Sequence, residues 1–213
     1  MFVRVNDPIG SGFVQSLARP GGNITGFTTY EFSMGGKWLE LLKEIAPSVT
    51  RVAPLFNPVT APYASSYLRT LELVAPSLGM LLNNMTVQST AEMDRAVGAF
   101  AREPNGGLIL PPDNVTQHHR ALIVTLAAKH RLPAIYAIRQ AVEIGGLMSY
   151  AAARLDYRLV ASYVDRILRG AKTGELPVQT PTKFQLVINL KTATDLGLTI
   201  APSLFALADE VIE

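Results

Sequence analysis

From residue 51 to residue 150, short β-rich runs alternate with helical patterns, and this alternation constrains the fold more than any other feature of the chain. "RVAPLF" (51–56) is a run of strand formers. Residues 62–78 then place Tyr67, Leu68, Leu71, Val74 and Leu78 on one helical face, with Gly79 as the stop. "MLLNNMTV" (80–87) reads as the next strand, and Ser89 with Glu92 has capping-box spacing for a helix carrying Met93, Ala96, Val97 and Phe100. Strand 107–111, helix 117–130, strand 133–137 and strand 146–150 continue the rhythm. Strands separated by helices of about 10–15 residues pair in parallel through right-handed crossovers. The sequence therefore predicts an α/β fold with a doubly wound, mostly parallel sheet.

The flanks carry the same pattern more loosely. Residues 2–5 are strand-like, 9–18 have helical spacing, 23–27 suit a short strand and 35–45 a helix halted by Pro47. Beyond residue 150 a helix carries Leu155, Leu159, Val160, Tyr163, Val164, Ile167 and Leu168 in register, and the polar, proline-rich segment 172–183 reads as a long connection. "FQLVINL" (184–190) is expected as the last strand, followed by a short helix ended by Gly197 and a terminal helix over "SLFALADEVIE".

Several function classes are excluded early. Net charge is +2 with Lys and Arg dispersed, so no basic stripe tracks a phosphate backbone and nucleic acid is not expected as a partner. Cysteine is absent, which removes disulfides, thiolate nucleophiles and Cys-bound zinc. No apolar run approaches the roughly 20 residues that span a bilayer, and "MFVRVNDPIGSG" has none of the parts of an export signal.

In an open parallel sheet, ligands bind beyond the carboxyl ends of the strands, where loops meet helix N-termini. The residues expected there are Asn6 and Asp7, Asn57, Gln88 and Ser89, Asp113 and Asn114, Tyr136, and Ser149 with Tyr150. Asn, Asp and Ser also serve as ordinary turn formers and caps. Asp113 stands out because Pro111 and Pro112 stiffen the approach to it. His118 and His119 are neighbours, so on a helix their side chains diverge by about 100°; no H-E-x-x-H spacing is present, and no metal or cofactor is expected. G-x-S-x-G, G-x-G-x-x-G and P-loop patterns are also absent, so no catalytic residues are assigned.

Five long stretches, "NDPIGSGFVQSLARPGGNITGF", "KWLELLKEIAPSVTRVAPLFNP", "AAKHRLPAIYAIRQAVEIGGLMSY", "YVDRILRGAKTGELPVQTPTKFQLVINLKTATDLGLTI" and "PSLFALADEVIE", resemble the substrate-binding proteins of ABC transporters of the tryptophan/tyrosine-type uptake family. That family is similar to type I periplasmic binding proteins, in which two α/β lobes close on a ligand. The resemblance implies a non-enzymatic solute-binding component of an importer, holding a small ligand such as an aromatic amino acid in an inter-lobe cleft. It implies a periplasmic setting and ABC permease subunits as partners, with no cofactor.

It further implies that most of an N-terminal lobe is missing here. Residues 1–29 would be the remnant of that lobe and hinge, 30–150 the second lobe, and 151–213 a crossover and C-terminal segment of open lobe assignment. Apolar surface on the remnant would then favour self-association. Carried over by motif, Asn6, Asp7, Thr28, Asn57, Asp113, Asn114, Tyr136 and Ser149 are the ligand-binding candidates, with Asp113 meeting an ammonium and Tyr136 or Phe56 covering a ring. Two other readings stay open: a ligand-sensing regulatory domain of the same fold, and an enzyme using Asp113 and His118 as an acid–base pair.

Overall fold

The computed structural model describes residues 1–213. In chain order its elements are β1 (Phe2–Val5), β2 (Gly26–Thr28), α1 (Met34–Ile45), β3 (Arg51–Phe56), α2 (Ala64–Val74), β4 (Leu81–Leu82), β5 (Met85–Thr86), α3 (Thr90–Phe100), β6 (Gly106–Leu110) and α4 (Asn114–His118). They continue as α5 (Arg120–Lys129), β7 (Ala134–Tyr136), α6 (Arg139–Glu143), β8 (Met148–Ala152), α7 (Tyr157–Leu168), β9 (Phe184–Asn189), α8 (Leu190–Asp195), α9 (Pro202–Leu207) and β10 (Glu210–Ile212). The chain forms two compact units, the first from Met1–Glu31 and Ala152–Phe184, the second from Phe32–Ala151 and Gln185–Glu213.

In the first unit β1 and β2 pair in parallel, and Phe27 meets Tyr163 of α7 edge-on at 5.1 Å between ring centroids. Leu176 completes that small core, while Leu155, Val160 and Ile167 pack against it. Long-range hydrogen bonds fix the connection after α7: Thr25 Oγ1 donates to Leu176 O at 2.6 Å, and Tyr163 Oη donates to Pro177 O at 3.0 Å. Gly26 has no room for a side chain, since a Cβ there would stand 2.1 Å from the Phe2 carbonyl oxygen.

The second unit is built on a sheet of strand order β10-β9-β8-β7-β6-β3-β4, with β5 also paired to β3. The β3–β4, β3–β5, β3–β6, β6–β7, β7–β8 and β9–β10 pairs are parallel, which gives the α/β architecture its mostly parallel sheet. On one side a core forms from Leu55, Leu108, Leu110 and Ala134 against Met93 and Val97 of α3 and Ile123 and Ala127 of α5. On the other side α1 lies close to the sheet, because Gly107 leaves only 3.1 Å between a would-be Cβ and Leu42 Cδ2.

The chemistry of the helix ends follows the sequence. Ser89 caps α3 by accepting from Glu92 N at 3.3 Å, and Glu92 Oε2 accepts from Gln88 N at 2.8 Å. Gly79, at φ 65°, ends the 3₁₀ turn Ala75–Leu78 that follows α2.

Five expectations change. The strand expected over 80–87 is two short strands, β4 and β5, each paired with a different part of β3. Residues 9–18 form turns and no helix: glycines at 10 and 12 disfavour one, and Asp7 Oδ1 accepts from Gly10 N at 2.8 Å to close a turn instead. The helix expected at 117–130 starts earlier, at Asn114, and breaks at His119, because Asp113 provides a cap ahead of it. A short helix, α6, fills the expected gap after β7. Finally, "FQLVINL" is not the last strand. The terminal helix stops at Leu207, and β10 adds to the sheet edge beside β9, where Asp209 Oδ2 accepts from Leu186 N at 2.8 Å and the β-branched Val211 and Ile212 suit extended pairing.

Candidate functional site

The loops at the carboxyl ends of β3 and β6 are joined through one carboxylate. Asp113 is fully buried and receives four hydrogen bonds: from Asn57 N at 3.1 Å, Thr60 Oγ1 at 2.5 Å, Val115 N at 3.2 Å and Thr116 N at 3.1 Å. Two of these donors are the first free amides of α4, so Asp113 is its N-cap. The other two belong to the loop after β3. Pro111 and Pro112, both buried, bring the residue to this place on a stiff approach.

An ionised carboxylate offers about four acceptor positions, and here all are taken. Asp113 is thus not available to meet a ligand ammonium, nor does His118 donate to it as an acid–base pair would require. The carboxylate instead makes the β3 loop and the start of α4 a single rigid wall.

Around that wall the other candidates differ in access. Asn57 is buried, and its Oδ1 accepts from Val59 N at 2.9 Å; the Nδ2 donor stays unclaimed within the protein. Asn114 is exposed at the head of α4, and Thr60 is exposed beside Asn57. Thr60 was not among the sequence candidates; its place in a short polar loop directly after a strand is the signal that could have found it.

Tyr136 and Ser149 stand opposite each other on β7 and β8, but both are turned into the interior. The Tyr136 ring belongs to the apolar cluster with Leu110, Val124, Ala127 and Ala141. It also abuts Gly146, where a Cβ would meet Tyr136 Cε2 at 2.7 Å. The position at the end of a strand places Tyr136 near the edge, while its phase along the strand points it at the helices, where it borders a cavity with Pro111, Thr116 and Gln117. Phe56 is also buried, in a cluster with Ala61 and Ala64.

The hydroxyls of Tyr136 and Ser149 have no hydrogen-bond partner, and burial pushes the Tyr136 phenol well above its ordinary pKa. A buried unpaired hydroxyl costs about 1–3 kcal/mol. Tyr136→Phe is therefore expected to raise stability by about 1 kcal/mol in urea unfolding. A loss of stability would show that the hydroxyl is satisfied in solution.

In the first unit, Asn6 and Asp7 follow β1, with Asp7 Oδ1 already bonded to Gly10 N. Thr28 closes β2, its amide donating to Gln179 O at 2.9 Å and its hydroxyl reaching the same oxygen at 3.4 Å. Next to it Thr29, absent from the sequence candidates, has a buried hydroxyl without a partner. His118 and His119 stack edge to face at 4.8 Å where α4 gives way to α5. No group of three or more His, Cys, Asp or Glu is placed to hold a metal ion, and no helix is long and apolar enough to cross a membrane.

Comparison with known proteins adds to this geometry. A model of the family described as ABC transporter substrate binding protein matches residues 1–212. The tyrosine-binding protein of Clostridioides difficile (strain R20291) is 24% identical over 198 residues, covering 91% of this chain and 55% of the relative. The chain thus spans about half the length of the curated relative it matches.

Among solved structures, the ABC domain from Streptococcus pneumonia in complex with L-Trp superposes with a TM-score of 0.85 at 26% identity, covering 99% of this chain and 71% of that one. A conserved domain protein from Vibrio cholerae O1 biovar eltor gives 0.86 at 31% identity, covering 99% and 70%. A LacI family transcriptional regulator from Bifidobacterium animalis shares the fold alone, with a TM-score of 0.55 at 12% identity over 73% of this chain and 59% of that one.

Proposed function

The chain belongs to the family of ABC transporter substrate binding proteins, and from that premise we propose that it is the solute-binding component of an importer whose solute is an aromatic amino acid. The observation that carries this reading is the likeness over 99% of the chain to a domain solved with L-Trp. The tyrosine-binding relative points the same way. The solute sits in the inter-lobe cleft that the family resemblance implies, outside the cytoplasmic membrane, and is handed to permease subunits. The protein performs no reaction on it.

Within the second unit the contacts are assigned to Asn57 and Asn114 together with Thr60, all set by the wall that Asp113 organises. Asn57 Nδ2 and the Thr60 hydroxyl oxygen suit the carboxylate and ammonium of an amino acid, respectively. In the first unit the candidates are Asn6, Asp7 and Thr28. Tyr136 and Ser149 contribute from beneath, by packing, since neither side chain reaches solvent.

Isothermal calorimetry of the full protein separates this reading from its competitors. L-tryptophan and L-tyrosine are expected to bind saturably, while D-ribose and L-glutamate give only heats of dilution. Sugar binding, or no response to either aromatic amino acid, would count against the proposal.

A further inference from the structure

A cavity lies apart from Asn57, Thr60 and Asn114. In the second unit a groove of about 620 Å³ opens where α5 and α8 flank the amino ends of β7 and β8. Small-molecule sites typically measure roughly 300–1,000 Å³. Ala127 and Ala128 of α5 form one wall, Ala134 and Leu147 the floor, and Thr192 and Leu196 the other wall. The polar groups of that far wall are already engaged: Thr192 Oγ1 donates to Gly145 O at 2.9 Å, and Thr192 N donates to Asn189 Oδ1 at 2.8 Å. An occupant therefore meets apolar surface along most of its length.

The mouth is different. Lys129, Arg131 and Lys191 line it with Asp195 as the one acid, and none of the three cations has an ion-pair partner. Arg131 holds a left-handed backbone at φ 51°, just past the end of α5. This is a position that glycine fills without strain and that costs other residues about 1–2 kcal/mol. From there the guanidinium reaches toward the end of α8, 4.0 Å from where a Cβ on Gly197 would stand. The chain thus keeps a cation at the mouth at a conformational cost that glycine would remove.

We propose that this groove binds a small organic carboxylate, its aliphatic or aromatic body lying over Ala128 and Leu147 and its charge facing Lys129, Arg131 and Lys191. The apolar lining selects the body, and the uncompensated cations select the sign of the head group. The groove opens at the amino ends of β7 and β8 and contains none of Asn57, Thr60 and Asn114, although Tyr136, at the carboxyl end of β7, is part of its lining.

Octanoate is a suitable probe, titrated into the full ¹⁵N-labelled protein. Saturable shifts are expected at the amides of Ala128, Gly145 and Thr192, with no comparable effect from octylammonium. Ala128→Trp, at an exposed position on α5, fills the groove and should abolish the shifts with little change in Tm. The double variant Lys129→Glu/Lys191→Glu should weaken binding about tenfold or more.

Arg131→Gly tests the strain directly: Tm is expected to rise while octanoate affinity falls. Equal shifts with octylammonium, octanoate binding that survives Ala128→Trp, or an affinity untouched by Arg131→Gly would each overturn the proposal. These outcomes are independent of whether an aromatic amino acid binds at the other end of the sheet.

Discussion

Asp113→Ala is expected to lower stability by about 3 kcal/mol and to remove measurable binding of L-tryptophan or L-tyrosine at the solute loops. The truncation leaves Asn57 N, Val115 N and Thr116 N without their acceptor, and also takes away the cap of α4. Loss of a capping acceptor alone costs about 0.5–2 kcal/mol. The buried amides add the penalty of unmet donors, reduced where water can reach them. Thr60→Val provides the contrast. Although Thr60 is exposed, its hydroxyl donates to the buried carboxylate, so its loss should lower the unfolding free energy by about 1–2 kcal/mol, less than Asp113→Ala, while still weakening amino acid binding. Asp113→Asn keeps one acceptor oxygen but turns an amide group toward backbone donors, so it should fall between the parent and Asp113→Ala. If Asp113→Ala unfolds at the parent's urea concentration, the carboxylate is not holding the two loops together.

The contrast between Asp113 and Tyr136 shows what the chain's pattern does and does not encode. The alternation of strands and helices from residue 51 to 110 is legible because α2 and α3 repeat their apolar spacing, whereas the five-residue helices α4 and α6 are too short to repeat any. Capping at Ser89 and stopping at Gly79 are legible because the partners lie within a few residues. The bonds of Asp113 to Asn57 and Thr60 are not, since those residues are 56 and 53 positions away and no local spacing records them.

Tyr136 fails for another reason. Standing at the end of a strand fixes distance from the edge, but a side chain there can take either face, and one residue of phase decides between core and crevice. Tyr136 follows Ala134 by two residues, and Ala134 lies in the same helix-covered cluster. Residues 9–18 and the C-terminus mislead because three or four apolar residues at helical spacing carry little weight. In the first case glycines oppose the pattern, and in the second the edge of β9 is waiting to be paired.

Trp38→Ala should be the more damaging change to the second unit, by about 4 kcal/mol, a large share of the roughly 5–15 kcal/mol that holds a domain folded. Trp38 is the only tryptophan and is 1% exposed. Its ring lies 5.2 Å from that of Tyr67, so it fastens α1 to α2. Its Nε1 donates to Tyr150 O at 2.8 Å, so it also fastens α1 to β8, at a separation of 112 residues. Alanine removes the ring, opens a cavity between helix and sheet, and leaves the Tyr150 carbonyl without that donor. Trp38→Phe isolates the second effect: most of the packing survives and only the donor is lost, so about 1–2 kcal/mol is expected. Circular dichroism during urea unfolding measures both without relying on tryptophan emission. In the parent protein, iodide should leave Trp38 fluorescence unquenched until the unfolding transition. Quenching by iodide under native conditions, or a Trp38→Ala protein as resistant to urea as its parent, would show that α1 does not seat on the sheet through this side chain.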